Sequence, residues 1–141
     1  IIAVETGPYA AIEPAAGTDD RVYDALLKPH DHMTCRRRED LPERLHYGHN
    51  PRVAAIICIA ENGWTIVAGK PAYPVMGGAH GYDNDDPDMR ALFIAYGSGL
   101  RGDVGLVDNI EVYPLLMRLI GVKPLPNDAR GALLESLAPQ R

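Results

Sequence analysis

Short apolar blocks separated by polar, glycine- and proline-rich stretches set the element pattern of this chain. Val53 to Ala60 (VAAIICIA) is its longest near-continuous apolar run. That length and pattern predict a strand buried on both faces. Glu61-Asn62-Gly63 then turns the chain into Trp64 to Ala68 (WTIVA). Asn-Gly between two apolar runs predicts that these two strands form an antiparallel hairpin. Met89 to Tyr96 (MRALFIAY) reads as another apolar strand, as do Ile1 to Val4 and His32 to Arg37.

The helical period of 3.6 shows best over Asn109 to Gly121, where Val112, Leu115, Leu116, Leu119 and Ile120 share a side. Asp108 or Asn109 can cap this helix, with Glu111 near the capping-box position; Pro114 fits its first turns and Gly121 can end it. Thr18-Asp19-Asp20 predicts an N-cap and acidic first turn for a shorter helix carrying Val22, Ala25 and Leu26. Pro29 ends it. Glu39 to Tyr47 reads as a turn or a short helical piece with Pro42 near its start, and Gly69 to Asp88 as a long loop. Strands mixed with helices predict the α/β class.

Composition narrows the function. The chain has 141 residues, enough for one domain with a real core, and 46% hydrophobic content, ordinary for a globular protein. No apolar run approaches the roughly 20 residues that span a bilayer. The formal charge of −5 argues against a general nucleic-acid clamp. Phosphate substrates stay open, because a bound metal reverses the local field. The chain opens on IIAVETGPYA, with no Met and no signal-like segment. A strand at the first residue suggests a piece cut from something longer, whereas the close, Leu133 to Arg141, reads as a natural end.

The spacing of Cys35 and Cys58 rules out a CxxC knuckle or redox motif. Both fall in predicted strands. The residues alone favour two buried free thiols. In an exported protein a bridge is favoured instead, and it would contribute roughly 3 kcal/mol.

Five histidines offer candidate chemistry. His80 sits in GGAHGYDN, flanked by glycines that let the backbone approach a ligand closely. Histidine is the commonest metal-binding side chain, yet a catalytic zinc takes about three protein ligands and one imidazole is no site. By itself such a loop histidine is more often part of a surface turn. His30-Asp31-His32 could pinch a metal from one side of a strand, although no third ligand is evident nearby. His46 and His49 lie three apart, but Gly48, Asn50 and Pro51 argue against a helix there and leave both structural. Arg36-Arg37-Arg38 is followed by Glu39-Asp40, which predicts local compensation on a solvated edge. No Walker loop, G-x-S-x-G or dinucleotide fingerprint is present.

Three segments carry a more specific signal: LPERLHYGHNPRV, GGAHGYDNDDPDMRALFIAYGSGL and NIEVYPLLMRLIGVKPLPNDA. Together they resemble the C-terminal part of the type I phosphodiesterase/nucleotide pyrophosphatase family, within the alkaline phosphatase superfamily. The HGYDN motif with its following Met and apolar strand is the most specific of them, and the resemblance is weaker over the first 30 residues. It implies an α/β sandwich around a central mixed sheet, with residues 1–141 as the C-terminal portion of a single catalytic domain. It also implies a threonine nucleophile and two zinc ions acting on a nucleotide or other phosphodiester substrate, since paired metals stabilise charge on phosphoryl oxygens. In that family the histidine of the HGYDN-like motif ligates one zinc, and His80 holds the matching position. Gly81, Asp83 and Asn84 match motif positions too, and are expected to shape or support the site.

The remaining family ligands find no match. No Asp here has a His four residues on, and Asp31-His32 is followed by Met33 where the family's Asp-His pair has Gly. The threonine nucleophile is also unmatched. The resemblance therefore implies that the remainder of the polypeptide supplies the nucleophile and the other ligands. The chain alone should be inactive and stably folded only beside that remainder. A phosphomonoesterase or sulfatase of the same superfamily, and a non-catalytic binding module on this scaffold, are the alternatives. The family further implies a periplasmic or extracellular location, in which Cys35 and Cys58 would be bridged.

Overall fold

A computed structural model describes residues 2–71, 74–97 and 102–137. The chain divides into two compact units, Ile1–Ala91 and Leu92–Arg141. The first is a four-stranded sheet with one helix. Its strands are β1 (Ile2–Glu5), β2 (Tyr9–Glu13), β3 (Met33–Arg37) and β4 (Ile56–Ala60), in spatial order β1-β2-β4-β3. All three pairings are antiparallel, so the described strands show none of the parallel pairings of a mixed sheet. Helix α1 (Asp19–Leu26) connects β2 towards β3. The α/β class stands, and Ile1 and residues 138–141 lie outside the described residues.

β4 is central because its side chains are apolar in both directions. Ile56 and Cys58 are wholly buried and pack with Ala10, Ile12, Cys35 and Val22 of α1. Ile57 packs on the other side with Ala11 and Ala54, flanked by Tyr9, Leu41 and Ile59. Burying an isoleucine is worth roughly 1.5–3 kcal/mol, so this strand organises the unit. It starts at Ile56, later than the apolar run. Asn50 turns the backbone first: its side chain accepts from the Arg52 N–H at 3.0 Å and its carbonyl from the Val53 N–H at 2.9 Å.

The hairpin expected between Val53–Ala60 and Trp64–Ala68 does not form. The turn itself is present, with Gly63 at φ +86° and the Trp64 N–H bonded to the Glu61 carbonyl. Both edges of β4 are already occupied, by β2 and by β3. Residues 64–68 therefore have no free edge of β4 to join. They make a single bridge, Ile66 with Gly7.

Cys35 lies directly opposite Cys58 in the β3–β4 ladder, and the two form a disulfide. The free-thiol reading of the residues is thereby replaced by the bridged one. Register brings these thiols together, and spacing along the sequence carries no trace of that.

In the second unit a 3-10 turn, Asn109–Glu111, runs into α2 (Val112–Leu119). The helix ends where Gly121 takes φ +72° and the N–H groups of Gly121 and Val122 return to the carbonyls of Arg118 and Met117. Leu115 packs with Leu133 and Leu137 around a second helix, α3 (Ala132–Ser136), which the apolar pattern did not single out. Leu116, Leu119 and Ile120 of the expected apolar face remain exposed. Glu111 does not act in a capping box. Buried to 4% exposure, its carboxylate accepts the N–H groups of Arg130 at 2.6 Å and Gly131 at 3.0 Å. Gly131 is the N-cap of α3, so this one side chain sets where that helix begins.

Met89 to Tyr96 is not a strand. It starts in a 3-10 turn, Pro87–Met89, and then pairs with no strand among the described residues. Phe93 packs into the Leu115 cluster, while Leu92 is 86% and Tyr96 102% exposed. Apolar character gives a segment the means to be a strand, but without a neighbouring edge its backbone groups have nothing to pair with.

Candidate functional site

In the first unit a cleft of about 400 Å³ opens on the face of the sheet that carries Ile59. β3 supplies Thr34 and Arg36, two residues apart and hence on one face. Cys35, between them, points the other way into its disulfide. Arg44 comes from a 3-10 turn, Glu43–Leu45, and Glu61 and Asn62 from the turn after β4. Tyr82, Asp83 and Asp86 come from the loop that also holds His80.

That loop is fastened by Arg44. Its guanidinium donates both ends to the Asp83 carboxylate, at 2.8 and 2.5 Å, and also reaches Asn84 Oδ1 at 3.2 Å and Asp85 Oδ2 at 3.0 Å. A planar fork on a carboxylate is the strong geometry for such a pair. The Arg44 hydrogen bonds hold the Asp83 carboxyl below its usual range; burial opposes this, while the Asp85 N–H and the charges of Arg44 and Arg36 assist it. Arg44 is in turn raised, chiefly by its bond to Asp83. Within the loop Asp83 Oδ1 accepts the Asp85 N–H, and further on Asn62 donates to Asp88 at 2.6 Å.

His80 stands just ahead of this fastened stretch. It is exposed and has no hydrogen-bond or ionic partner among the described residues. Gly81 follows at φ +109°, and a Cβ there would meet Tyr9 Cδ1 at 3.4 Å. Asp83 and Asn84 are the groups that Arg44 grips. Asp83 and Asn84 are thus held through Arg44, and Gly81 takes a backbone angle that favours glycine.

The other histidines do not converge with His80. His30 donates from Nε2 to the Leu26 carbonyl at 3.1 Å, at the end of α1. His32 donates from Nδ1 to Glu61 at 2.8 Å and stacks on Trp64, ring centroids 3.7 Å apart. His46 closes the Glu43–Leu45 turn in a left-handed conformation. The arginine run finds partners other than Glu39 and Asp40. Arg37 lies 3.7 Å over the Tyr23 ring, and Arg38 donates to the carbonyls of Pro51 and Val53. Arg36 alone of the three faces the cleft.

Among the described residues no three His, Cys, Asp or Glu side chains converge to hold a metal ion. A catalytic zinc takes about three protein ligands. The described residues do not by themselves make up a complete zinc site. Sequence reasoning singled out His80, Asp83 and Asn84 but missed Arg44 and Glu111. Arg44 lies 39 residues from Asp83 in sequence, and only the fold joins them.

Comparison with known proteins bears directly on this cleft and loop. The family model described as type I phosphodiesterase / nucleotide pyrophosphatase matches residues 1–83, more than half of the chain. Human ectonucleotide pyrophosphatase/phosphodiesterase family member 5 is 37% identical over 127 residues, which is 89% of this chain and 26% of that protein. Mouse bis(5'-adenosyl)-triphosphatase enpp4 is 35% identical over 127 residues, again 89% of this chain and 27% of the relative. Among solved structures, human ectonucleotide pyrophosphatase/phosphodiesterase 5 superposes with a TM-score of 0.88 at 34% identity, over 99% of this chain and 37% of that one. An inactive form of the murine protein in complex with AMP superposes with a TM-score of 0.85 at 33% identity, over 96% of this chain and 37% of that one. The chain thus spans about a quarter of the length of the curated relatives it matches.

Proposed function

The chain belongs to the type I phosphodiesterase / nucleotide pyrophosphatase family, and on that footing we propose that it forms the C-terminal portion of a zinc-dependent hydrolase of nucleotide phosphodiester or pyrophosphate bonds. The observation that carries this reading is the superposition of nearly the whole chain on a family structure that holds AMP. In the proposed enzyme His80 is one zinc ligand, and a threonine nucleophile and the remaining ligands come from polypeptide beyond this chain. Zinc, when bound, would stabilise charge on the phosphoryl oxygens. The chain's own part is to present the imidazole from a fastened loop and to form one wall of the domain. Alone it should not turn over substrate.

Location outside the cytoplasm belongs to the same proposal. The human relative's name carries the prefix ecto-, and the Cys35–Cys58 bridge suits an oxidising compartment. No helix among the described residues is long and apolar enough to cross a membrane.

The test uses the complete polypeptide. A nitrophenyl nucleotide ester should be cleaved far faster than nitrophenyl phosphate; the reverse order would favour a phosphomonoesterase, and no turnover of either a non-catalytic module. His80→Ala should lower bound zinc, measured by elemental mass spectrometry, and reduce activity strongly with the fold retained. Unchanged zinc content would remove His80 from the ligand set.

A further inference from the structure

We infer that residues 92–96 are an interior β-strand of the complete polypeptide, paired along both edges with strands from sequence beyond this chain. The inference rests on the chain being part of a larger domain, and not on zinc or on His80. The backbone leaves Arg90 in extended conformation (φ −68°, ψ +138°), and from residue 91 to 96 it belongs to no helix or turn. No backbone N–H or carbonyl of 92–96 is hydrogen-bonded among the described residues. The side chains divide at the period of a strand. Phe93 turns to the Leu115, Leu133 and Leu137 cluster, whereas Leu92, Ile94 (77% exposed) and Tyr96 are left uncovered. Three large apolar groups on one side of five residues are a patch that a finished surface rarely carries. On α2, Leu116, Leu119 and Ile120 are exposed as well, so this unit shows apolar surface beyond what its own small core covers.

Two needs identify the occupant. The segment requires partners for its backbone groups and cover for its apolar side chains. Water supplies the first and leaves the second unmet. A lipid surface or the face of a helix supplies the second and leaves the backbone groups unpaired in apolar surroundings, which is costly. Strands on either side, within a sheet that is itself covered, supply both. An apolar run with large side chains to both sides is the pattern of a strand buried on both faces. The source of those strands is the same polypeptide. The solved human relative superposes on 99% of this chain with only 37% of its own, so most of that chain lies outside the matched part.

The experiment is residue-resolved hydrogen exchange on the complete wild-type polypeptide, so no variant has to fold. Every amide from Leu92 to Tyr96 should exchange at least about 1000-fold more slowly than an unstructured one. Exchange within about tenfold of the unstructured rate overturns the inference. Protection at alternate amides alone also overturns it, since an edge strand pairs on one side only. Protection should be unchanged on roughly tenfold dilution; loss on dilution would name a second copy as the occupant and overturn the assignment to the same polypeptide. Thiol labelling gives a second reading. Ile94→Cys should label far more slowly in the folded protein than in denaturant, and equal rates overturn the burial of that side. Turnover of a nitrophenyl nucleotide ester separates the two readings. Turnover with 92–96 unprotected overturns this inference alone, whereas protection without turnover supports it and counts only against the hydrolase.

Discussion

Breaking the Cys35–Cys58 bridge should release the β3 edge of the sheet, and the structure sets the size of the effect. The two cysteines are 23 residues apart in sequence and opposite one another across β3 and β4. For a closed loop of this length, the chain-entropy relation gives about −11.5 cal/mol/K, or about 3.4 kcal/mol at 25 °C. Native-state hydrogen exchange reads this directly. If β3 and β4 exchange through a common opening, the loss corresponds to roughly 300-fold faster exchange in that ladder. Two arms separate entropy from packing. Reduction keeps both sulfurs in place and should show the loop term alone. Cys35→Ala with Cys58→Ala also deletes buried sulfur contacts and should cost about 1 kcal/mol more. The fluorescence of Trp64, the chain's single tryptophan, gives an independent readout, since its ring stacks on His32 just ahead of β3. An acceleration under about fivefold on reduction, equivalent to roughly 1 kcal/mol, would refute the loop-closure reasoning and place the bridge's value in native packing instead.

Two further outcomes follow from single carboxylates. Glu111→Gln keeps the shape but turns an amide NH₂ towards one of the two backbone N–H groups that the carboxylate now receives. Losing one charge-assisted bond should cost about 2 kcal/mol and speed exchange at α3 amides roughly 30-fold; exchange within about twofold would mean that Glu111 does not set the start of α3. Asp83 is depressed in the folded state, chiefly by Arg44. A group of that sign contributes stability that is fully present above the unfolded pKa of about 3.9 and is lost as pH falls through the folded value. Exchange in residues 77–88 should therefore stay slow at pH 5 and quicken below about pH 4, and Asp83→Asn should abolish that acid step.

The interior of the sheet was legible in the sequence because burial on both faces leaves a local trace. The run ending in Ile56–Ala60 announces β4, and glycines 63 and 121 mark their turns by residue type. What sequence could not give was occupancy of edges. Trp64–Ala68 and Met89–Tyr96 have strand chemistry, yet the first finds β4 flanked on both sides and the second has no partner among the described residues. Pairing is a property of neighbours, and neighbours here come from distant sequence. The same limit hid the disulfide register, the Arg44 clamp and the buried Glu111. His80 stood out only through its motif, because its own surroundings hold no polar contact that would mark it.

The alternation of β3 explains how a rigid wall and an adjustable loop can adjoin. Cys35 faces one side of the strand and is tied covalently to the centre of the sheet, whereas Thr34 and Arg36 face the cleft on the other. The wall is therefore held by a bond indifferent to salt and pH. The loop opposite is held by ion pairs whose side chains are 36–70% exposed, and such pairs are weakened by screening. The two halves of the cleft should then respond to different agents. Raised ionic strength or acid should quicken exchange in 77–88 while β4 stays protected, and reductant should do the reverse. If both segments loosen together under either treatment, the loop and the sheet are one cooperative unit, and Arg44 holds the sheet as much as it holds the loop.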